Sequence, residues 1–118
     1  MTKNILIVED DRTVLNTLKE ILELEGYKVD TAETGKEAVE KTKSKSYNLT
    51  LLDIKLPDMR NTTLLKTIHK INSKTMKIML TGLFENVVEY LKHGANTYIV
   101  KPVDPEKLLS IIEEELRK

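Results

Sequence analysis

Near its start the sequence carries a short apolar run that passes directly into acids, Ile5 to Asp11 (ILIVEDD). A continuous run rich in β-branched residues is typical of a strand buried on both faces, as in a parallel sheet. Apolar residues at helical spacing follow it as far as Gly26, which stands where a glycine would end a helix. The stretch therefore predicts a strand–helix unit whose strand ends in acidic side chains.

Four more units of this kind follow along the chain. The predicted strands are Tyr27 to Thr31, Leu49 to Leu52, Lys77 to Leu80 and Thr97 to Val100. Capping-box spacing at Thr34 and Glu37, and the sequence Asp104-Pro105-Glu106, indicate where two of the intervening helices begin. Five strand–helix units predict an α/β fold, an open and doubly wound parallel sheet with helices on both faces. An eight-unit barrel would need roughly 200 residues.

Composition narrows the class of protein. The chain has 118 residues, and 19 basic residues balance 19 acidic ones. This length predicts a single domain over residues 1–118. The absence of cysteine excludes disulfides, thiolate zinc sites and thiol redox chemistry. The lack of a basic excess argues against direct nucleic-acid binding. No apolar run reaches the ~18 residues of a membrane span, so we expect a cytoplasmic protein without membrane contact.

Polar side chains follow four of the five predicted strands. Each has a simple structural interpretation by itself, such as a helix cap or a solvated turn residue. Together they predict a site, because the carboxyl ends of parallel strands meet at one edge of the sheet. The residues are Glu9 and Asp10 after the first strand, Asp53 after the third, Thr81 after the fourth and Lys101 after the fifth.

The residue types at this edge indicate phosphoryl transfer. Clustered carboxylates repel one another unless a cation neutralises them, and an oxygen-only cluster suits Mg²⁺. A carboxylate such as Asp53 can act as a nucleophile toward phosphorus, while Lys101 and Thr81 are suited to hold phosphoryl oxygens. A glycine-rich phosphate loop is absent from the sequence, which argues against nucleotide binding. We therefore predict Mg²⁺-dependent phosphoryl transfer onto Asp53.

Four segments of the chain resemble the receiver domain of two-component response regulators. They are ILIVEDD (5–11), LLDIKLP (51–57), LTG (80–82) and YIVKP (98–102). The resemblance covers all five predicted units. It implies a flavodoxin-like (βα)5 fold with strand order 2-1-3-4-5.

The resemblance also implies a set of metal ligands. Asp53 would be both phosphoacceptor and ligand of Mg²⁺. Asp10 would bind the metal directly, and Glu9 would act largely through water. The backbone carbonyl of Lys55 would be a further ligand. Asp11 is expected to cap the first helix rather than to bind the metal.

The remaining site residues are implied to handle the phosphoryl group and the response to it. Lys101 would contact the phosphoryl group, and the Lys101-Pro102 peptide bond is expected to be cis. Thr81 matches the switch hydroxyl, and Tyr98 matches the switch aromatic. Phosphorylation would draw Thr81 inward and let Tyr98 rotate, which would change a protein-interaction surface.

By the same resemblance, the phosphodonor would be a histidine kinase or a histidine phosphotransfer protein. The protein would catalyse its own phosphorylation and dephosphorylation, without turnover of a separate substrate. No output domain is expected within residues 1–118. The signal would therefore pass to a downstream protein target or to a missing effector domain, and a dimer that forms on phosphorylation is a further option.

The chain departs from the family pattern in several places, among them Gly82 in place of the usual alanine and the positive side chain of Lys55 beside the phosphorylation site. Arg60-Asn61 replaces the usual Asp-Gly, and Asn61 is expected to accept a left-handed backbone there. The segment after Thr81 is about two residues shorter than is common. Two alternatives stay open: a pseudo-receiver that binds without being phosphorylated, and a phosphatase like the haloacid dehalogenases. The second expects an acid where Lys55 stands.

Overall fold

The structure, a computed structural model, describes residues 2–53, 56–82 and 87–118. Within these ranges five strands alternate with five helices. The strands are β1 (Asn4–Val8), β2 (Lys28–Ala32), β3 (Leu49–Asp53), β4 (Met76–Thr81) and β5 (Thr97–Val100). The helices are α1 (Arg12–Leu24), α2 (Gly35–Ser44), α3 (Asn61–Ile71), α4 (Val87–Lys92) and α5 (Pro105–Leu116).

All strand pairs in the sheet are parallel, and the strand order is β2-β1-β3-β4-β5. The predicted fold class and strand order are thus confirmed. The register places Val8 beside both Ala32 and Leu52, and Asp53 beside Leu80. The carboxyl ends of β1, β3 and β4 therefore lie next to one another at one edge of the sheet.

Alternate residues of β1 face opposite layers of the molecule. Leu6 and Val8 belong to the core under α2 and α3, whereas Ile5 and Ile7 belong to the core under α1 and α5. All four side chains are fully buried. Burial of a side chain of this size contributes about 1.5–3 kcal/mol to folding, which explains why the run contains no polar residue.

The helices begin and end where the sequence places their signals. The side chains of Asp11, Thr34 and Asp104 accept backbone hydrogen bonds at the N-termini of α1, α2 and α5. Gly26 follows α1 with φ +94°, a backbone conformation that favours glycine. These local signals confirm the predicted helix boundaries at α1, α2 and α5.

The expectation for Asn61 is wrong. Among the described residues, positive φ occurs only at glycines. Arg60 is the N-cap of α3 with an extended backbone, and Asn61 is the first residue of that helix. The chain therefore enters α3 without a left-handed residue.

The shortened segment after Thr81 falls largely on residues 83–86, which lie outside the described residues. In the part of the chain that is described, no helix has the length and apolar character needed to cross a membrane.

Candidate functional site

Three acids meet at the carboxyl edge of the sheet. Glu9 follows β1, Asp53 is the last residue of β3, and Asp10 lies beside Glu9 at the start of the loop to α1. One carboxylate oxygen from each residue lies within 4.8 Å of the other two. Glu9 and Asp53 are buried, with 1% and 5% of their surface exposed, whereas Asp10 is exposed. We refer to Glu9, Asp10 and Asp53 as the acidic cluster.

Lys101 supplies positive charge to this cluster. Its Nζ lies 2.6 Å from Oδ2 of Asp53, within range of a charge-assisted hydrogen bond, and 3.9 Å from Oε1 of Glu9. The Lys101 side chain is partly exposed because it approaches the cluster from the end of β5. One ammonium group therefore faces two buried carboxylates.

Glu9 lies in an environment that strongly perturbs its pKa. Burial, followed by the neighbouring Asp53 carboxylate, raises the pKa of Glu9 from 4.5 to about 8. Its Oε2 accepts a 3.3 Å hydrogen bond from the backbone N–H of Asp11. Among the described residues, no hydrogen-bond partner reaches its buried Oε1. A buried charged oxygen in this state is costly, so the site favours either a proton on Glu9 or a cation beside it.

The acidic cluster fits a hard divalent cation. It offers oxygen ligands only, it holds more negative charge than Lys101 neutralises, and it contains the buried Oε1 of Glu9. Mg²⁺ prefers such oxygen sites and retains several water molecules, which suits a cluster with one exposed member. The predicted ligand at Lys55 lies outside the described residues.

The structure separates Asp11 from the acidic cluster. Oδ1 of Asp11 accepts hydrogen bonds from the backbone N–H groups of Thr13 (2.9 Å) and Val14 (3.3 Å). These are the amides that an N-cap residue satisfies at the start of a helix. The prediction that Asp11 caps α1 is confirmed.

Thr81 and Tyr98 differ strongly in exposure. Thr81 is fully buried at the end of β4, and its Oγ1 donates a 3.1 Å hydrogen bond to the carbonyl of Gly82. Tyr98 on β5 has 39% of its surface exposed.

The backbone N–H of Lys101 donates to the carbonyl of Thr81 at 2.7 Å, and the Lys101-Pro102 bond is cis, as predicted. Backbone hydrogen bonding thus joins the Thr81 strand end directly to the lysine.

Sequence reasoning did not single out Asp58, which lies in the loop between β3 and α3. Its carboxylate accepts hydrogen bonds from the backbone N–H groups of Gly35 and Lys36, at the start of α2. The partners are 22 and 23 positions away in the sequence. A lone acid after Pro57 gives no signal of such a contact, because nothing local specifies which helix the loop will meet.

A family model for the response regulator receiver domain matches residues 5–113. The chain belongs to the response regulator receiver family. A receiver domain protein (CheY-like) from Methanospirillum hungatei superposes on this receiver domain with a TM-score of 0.95. The two are 48% identical, and the alignment covers 99% of this chain and 95% of that one. Residues 5–113 therefore form a receiver domain of two-component signal transduction, as the sequence segments indicated.

Curated relatives of the receiver domain are longer proteins. The response regulator ArlR from Staphylococcus saprophyticus is 40% identical over all of this chain and 54% of its own length. An uncharacterized transcriptional regulatory protein, YkoG from Bacillus subtilis, is 37% identical over 98% of this chain and 51% of its own length. The chain thus spans about half the length of the curated relatives it matches.

Proposed function

We propose that Asp53 accepts a phosphoryl group from a phosphohistidine on a histidine kinase or a histidine phosphotransfer protein. The observation that carries this proposal is the 2.6 Å contact between Lys101 and the buried Asp53, inside a cluster with two further acids. A lysine already in contact with the nucleophile is placed to meet the phosphoryl oxygens that arrive there. Receiver domains are generally not enzymes that turn over a separate substrate, so the domain itself carries the product.

The transfer step forms one bond and breaks one. A carboxylate oxygen of Asp53 attacks phosphorus, the P–N bond to the imidazole breaks, and its electron pair returns to the nitrogen, which takes a proton from solvent. Glu9, Asp10 and Asp53 would hold Mg²⁺, with the backbone carbonyl of Lys55 as the fourth expected ligand. When bound, the ion supplies positive charge to the phosphoryl oxygens and to the carboxylates.

Lys101 has two tasks in this scheme. Before transfer, its ammonium group lowers the repulsion between Asp53 and Glu9, which lie 2.6 Å and 3.9 Å from Nζ. After transfer, it binds an oxygen of the new acyl phosphate. The carboxylate–lysine contact is exchanged for a phosphate–lysine contact, so the positive charge stays at the place where negative charge develops.

The response to phosphorylation would run through Thr81 and Tyr98. The Thr81 hydroxyl now donates to the neighbouring carbonyl of Gly82, a weak local contact that it can exchange for a phosphoryl oxygen. Inward movement of Thr81 opens space for the half-exposed Tyr98 ring, which changes the surface of β5 and its neighbouring helices. Raising an active state from about 1% to 99% requires roughly 5.5 kcal/mol of differential interaction.

That surface would contact a downstream protein target, an effector domain or a second phosphorylated copy. The two longer relatives include a named transcriptional regulatory protein, so an effector domain outside these residues is one of these options. Direct nucleic-acid binding by residues 1–118 is not expected, because their net charge is zero.

The proposal is tested by Mg²⁺-dependent labelling with a small phosphoramidate donor, followed by intact-protein mass spectrometry. We expect one phosphoryl group on the wild type and none on Asp53→Asn. Asp11→Asn is the matched control, since it changes an acid at the same edge whose carboxylate caps α1 and an asparagine also caps helices. Equal labelling of wild type and Asp53→Asn would contradict the assignment, and an unlabelled wild type would favour the pseudo-receiver alternative.

A further inference from the structure

The groove between the C-terminal halves of α3 and α4 is lined mainly by basic side chains. It has a volume of about 500 Å³, and its basic residues are Lys66, His69, Lys70, Lys92 and His93. The three lysines are exposed, and none of them forms an ion pair within the described part of the chain. Oε2 of Glu89 lies 3.3 Å from Nε2 of His93, so this acid faces a histidine and not a lysine. We refer to this surface as the basic groove.

Close packing at Gly94 holds the end of α4 against α3. Gly94 has φ +110°, and a Cβ atom there would lie 3.2 Å from both Cγ and Nδ1 of His69. Glycine is required at this position both for its backbone conformation and for the close approach of the histidine ring. Leu91 also lines the basic groove and has 43% of its surface exposed. The basic groove therefore presents an apolar side chain beside several cations.

Helix dipoles explain part of this charge distribution. His69 and Lys70 lie in the last turn of α3, and Lys92 lies in the last turn of α4, where cations are favoured. Lys66 lies about one turn earlier in α3, and the dipoles do not account for the exposed Leu91. An exposed leucine beside lysines without ion pairs is suited to contact with an acidic surface that also carries an apolar side chain.

The C-terminal end of α1 has the opposite character. Leu24 is 80% exposed, which makes it the most exposed large apolar side chain among the described residues. It lies between Glu23 and Glu25, two exposed acids that form no ion pair within the described ranges. The last turn of α1 contains no basic residue, although the helix dipole favours cations there. We refer to Glu23, Leu24 and Glu25 as the acidic tip, because the stability of α1 does not explain its charge.

The acidic tip and the basic groove lie on opposite faces of the sheet. Leu18 and Leu22 of α1 pack in the core on one face, whereas Leu65 of α3 and Tyr90 of α4 pack in the core on the other. Each helix returns from the carboxyl edge of the parallel sheet, so both surfaces lie toward its amino edge, away from the acidic cluster. One copy cannot join its own acidic tip to its own basic groove, whereas two copies can.

We infer that the basic groove binds the acidic tip of a second copy of this chain. Leu24 of one copy packs against Leu91 of the other, and the two acids beside Leu24 approach the lysines of the groove. Exposed ion pairs each stabilise a complex only slightly, so the removal of Leu24 from water supplies much of the gain. None of these residues belongs to the phosphorylation site, and the inference does not depend on the proposed function.

The first measurement is sedimentation velocity of the unphosphorylated protein over a range of concentrations, in EDTA and at low ionic strength. A contact between one helix end and one groove is small, so we expect a weak association with a dissociation constant of roughly 0.1 mM. Added NaCl should weaken it severalfold, because salt screens exposed charges from one another.

Substitutions on the two surfaces should each raise the dissociation constant about tenfold. Leu24→Gln removes the apolar side chain from the acidic tip, and Lys66→Glu with Lys70→Glu reverses the charge in the basic groove. Lys36→Glu with Lys43→Glu is the matched control, since it makes the same change in net charge on exposed lysines of α2. The control should associate like the wild type.

Mixing the two weakened proteins gives the most specific test. Leu24→Gln keeps the basic groove and the variant with Lys66→Glu and Lys70→Glu keeps the acidic tip, so the mixture should recover an association that neither protein shows alone. A mixture that stays monomeric would overturn the inference, and so would a control that is weakened as much as the groove variant. A wild type that stays monomeric but binds a poly-glutamate peptide or a short DNA duplex at the groove lysines would overturn it in favour of another partner.

Discussion

Each of the two edges of the sheet buries an ionisable side chain, but the two side chains differ in their hydrogen bonding. At the amino edge, Lys77 is 1% exposed, and its Nζ donates a 2.7 Å hydrogen bond to the carbonyl of Thr75. At the carboxyl edge, Glu9 is equally buried, yet its Oε1 has no hydrogen-bond partner among the described residues. The buried nitrogen of the lysine is satisfied by the fold, whereas one buried oxygen of Glu9 is not.

Other polar groups at the amino edge are also hydrogen-bonded to one another. The Thr50 and Thr75 hydroxyls are paired at 3.1 Å, and Asn96 accepts from Lys77 N through Oδ1 while donating its own N–H to the Lys77 carbonyl. The strand starts are thus joined by polar pairs that need no ligand. The comparison teaches that burial of polar groups alone does not mark a site, whereas an unsatisfied group among like charges does.

The largest expected effect concerns the pH dependence of stability at the carboxyl edge. The native pKa of Glu9 is raised from 4.5 to about 8, so the native state holds a proton that the unfolded state releases. The corresponding stability is fully present below about pH 4.5 and is lost as pH rises through about 8. A shift of this size corresponds to on the order of 5 kcal/mol.

This effect is measured by urea unfolding of wild type and Glu9→Gln from pH 4.5 to 8.5 in EDTA. The wild type should lose stability relative to Glu9→Gln as pH rises, and saturating Mg²⁺ should remove most of that loss. Parallel pH profiles of the two proteins in EDTA would show that the pKa of Glu9 is not raised in the native state.

Replacing the lysine at each edge of the sheet, Lys101 or Lys77, by methionine tests the comparison directly. Lys101→Met should slow phosphoryl incorporation by about 10²–10³-fold, because a donor aimed at the developing charge is lost. The measurement is the initial labelling rate at saturating Mg²⁺. A rate within a factor of two of the wild type would remove Lys101 from the phosphoryl site.

The matching substitution at the amino edge should act on stability alone. Burial lowers the pKa of Lys77, so its charged form is disfavoured in the native state. Lys77→Met should therefore raise the free energy of unfolding at pH 7 by about 1–2 kcal/mol. The gain should shrink as pH rises above 10.5, where the lysine becomes neutral in the unfolded state as well. Labelling at pH 7 should be unchanged, and a slowed rate would link the two edges.

The smallest effect concerns the paired hydroxyls of Thr50 and Thr75. Thr50→Val leaves the Thr75 hydroxyl buried without this partner and should cost about 1 kcal/mol. The double variant with Thr75→Val should recover most of that loss, since no hydroxyl is then left unpaired. Urea unfolding of the four proteins gives the coupling. Additive losses would mean that the two hydroxyls do not depend on each other.

Local patterns account for what could be predicted from the sequence. Strand and helix periodicity, together with caps such as Asp11 and the glycine at position 26, yielded the elements and their boundaries. The carboxyl ends of parallel strands meet at one edge of a sheet, and this rule predicted which side chains lie there. The structure has all five at that edge: Glu9, Asp10, Asp53, Thr81 and Lys101. Their roles in chemistry remain predictions until the labelling experiments are done.

What the sequence could not supply depends on contacts between distant segments. Lys77 begins an ordinary predicted strand, and its nearly complete burial follows only from how the helices cover β4. The Asp58 link to α2 has no local motif. Asn61 was assigned a left-handed backbone from residue preference alone, whereas the chain enters α3 through an extended Arg60 and Asn61 is already part of the helix.

The distribution of the site along the chain has a consequence for biosynthesis. Lys101 and Asp53 are 48 positions apart, and Lys101 follows β5, the last of the five strands along the sequence and an edge strand of the sheet. A nascent chain therefore contains its nucleophile well before it contains the lysine that neutralises it. Only a chain whose last strand has docked has the complete site, so phosphorylation would select fully folded molecules and exclude folding intermediates from the signal.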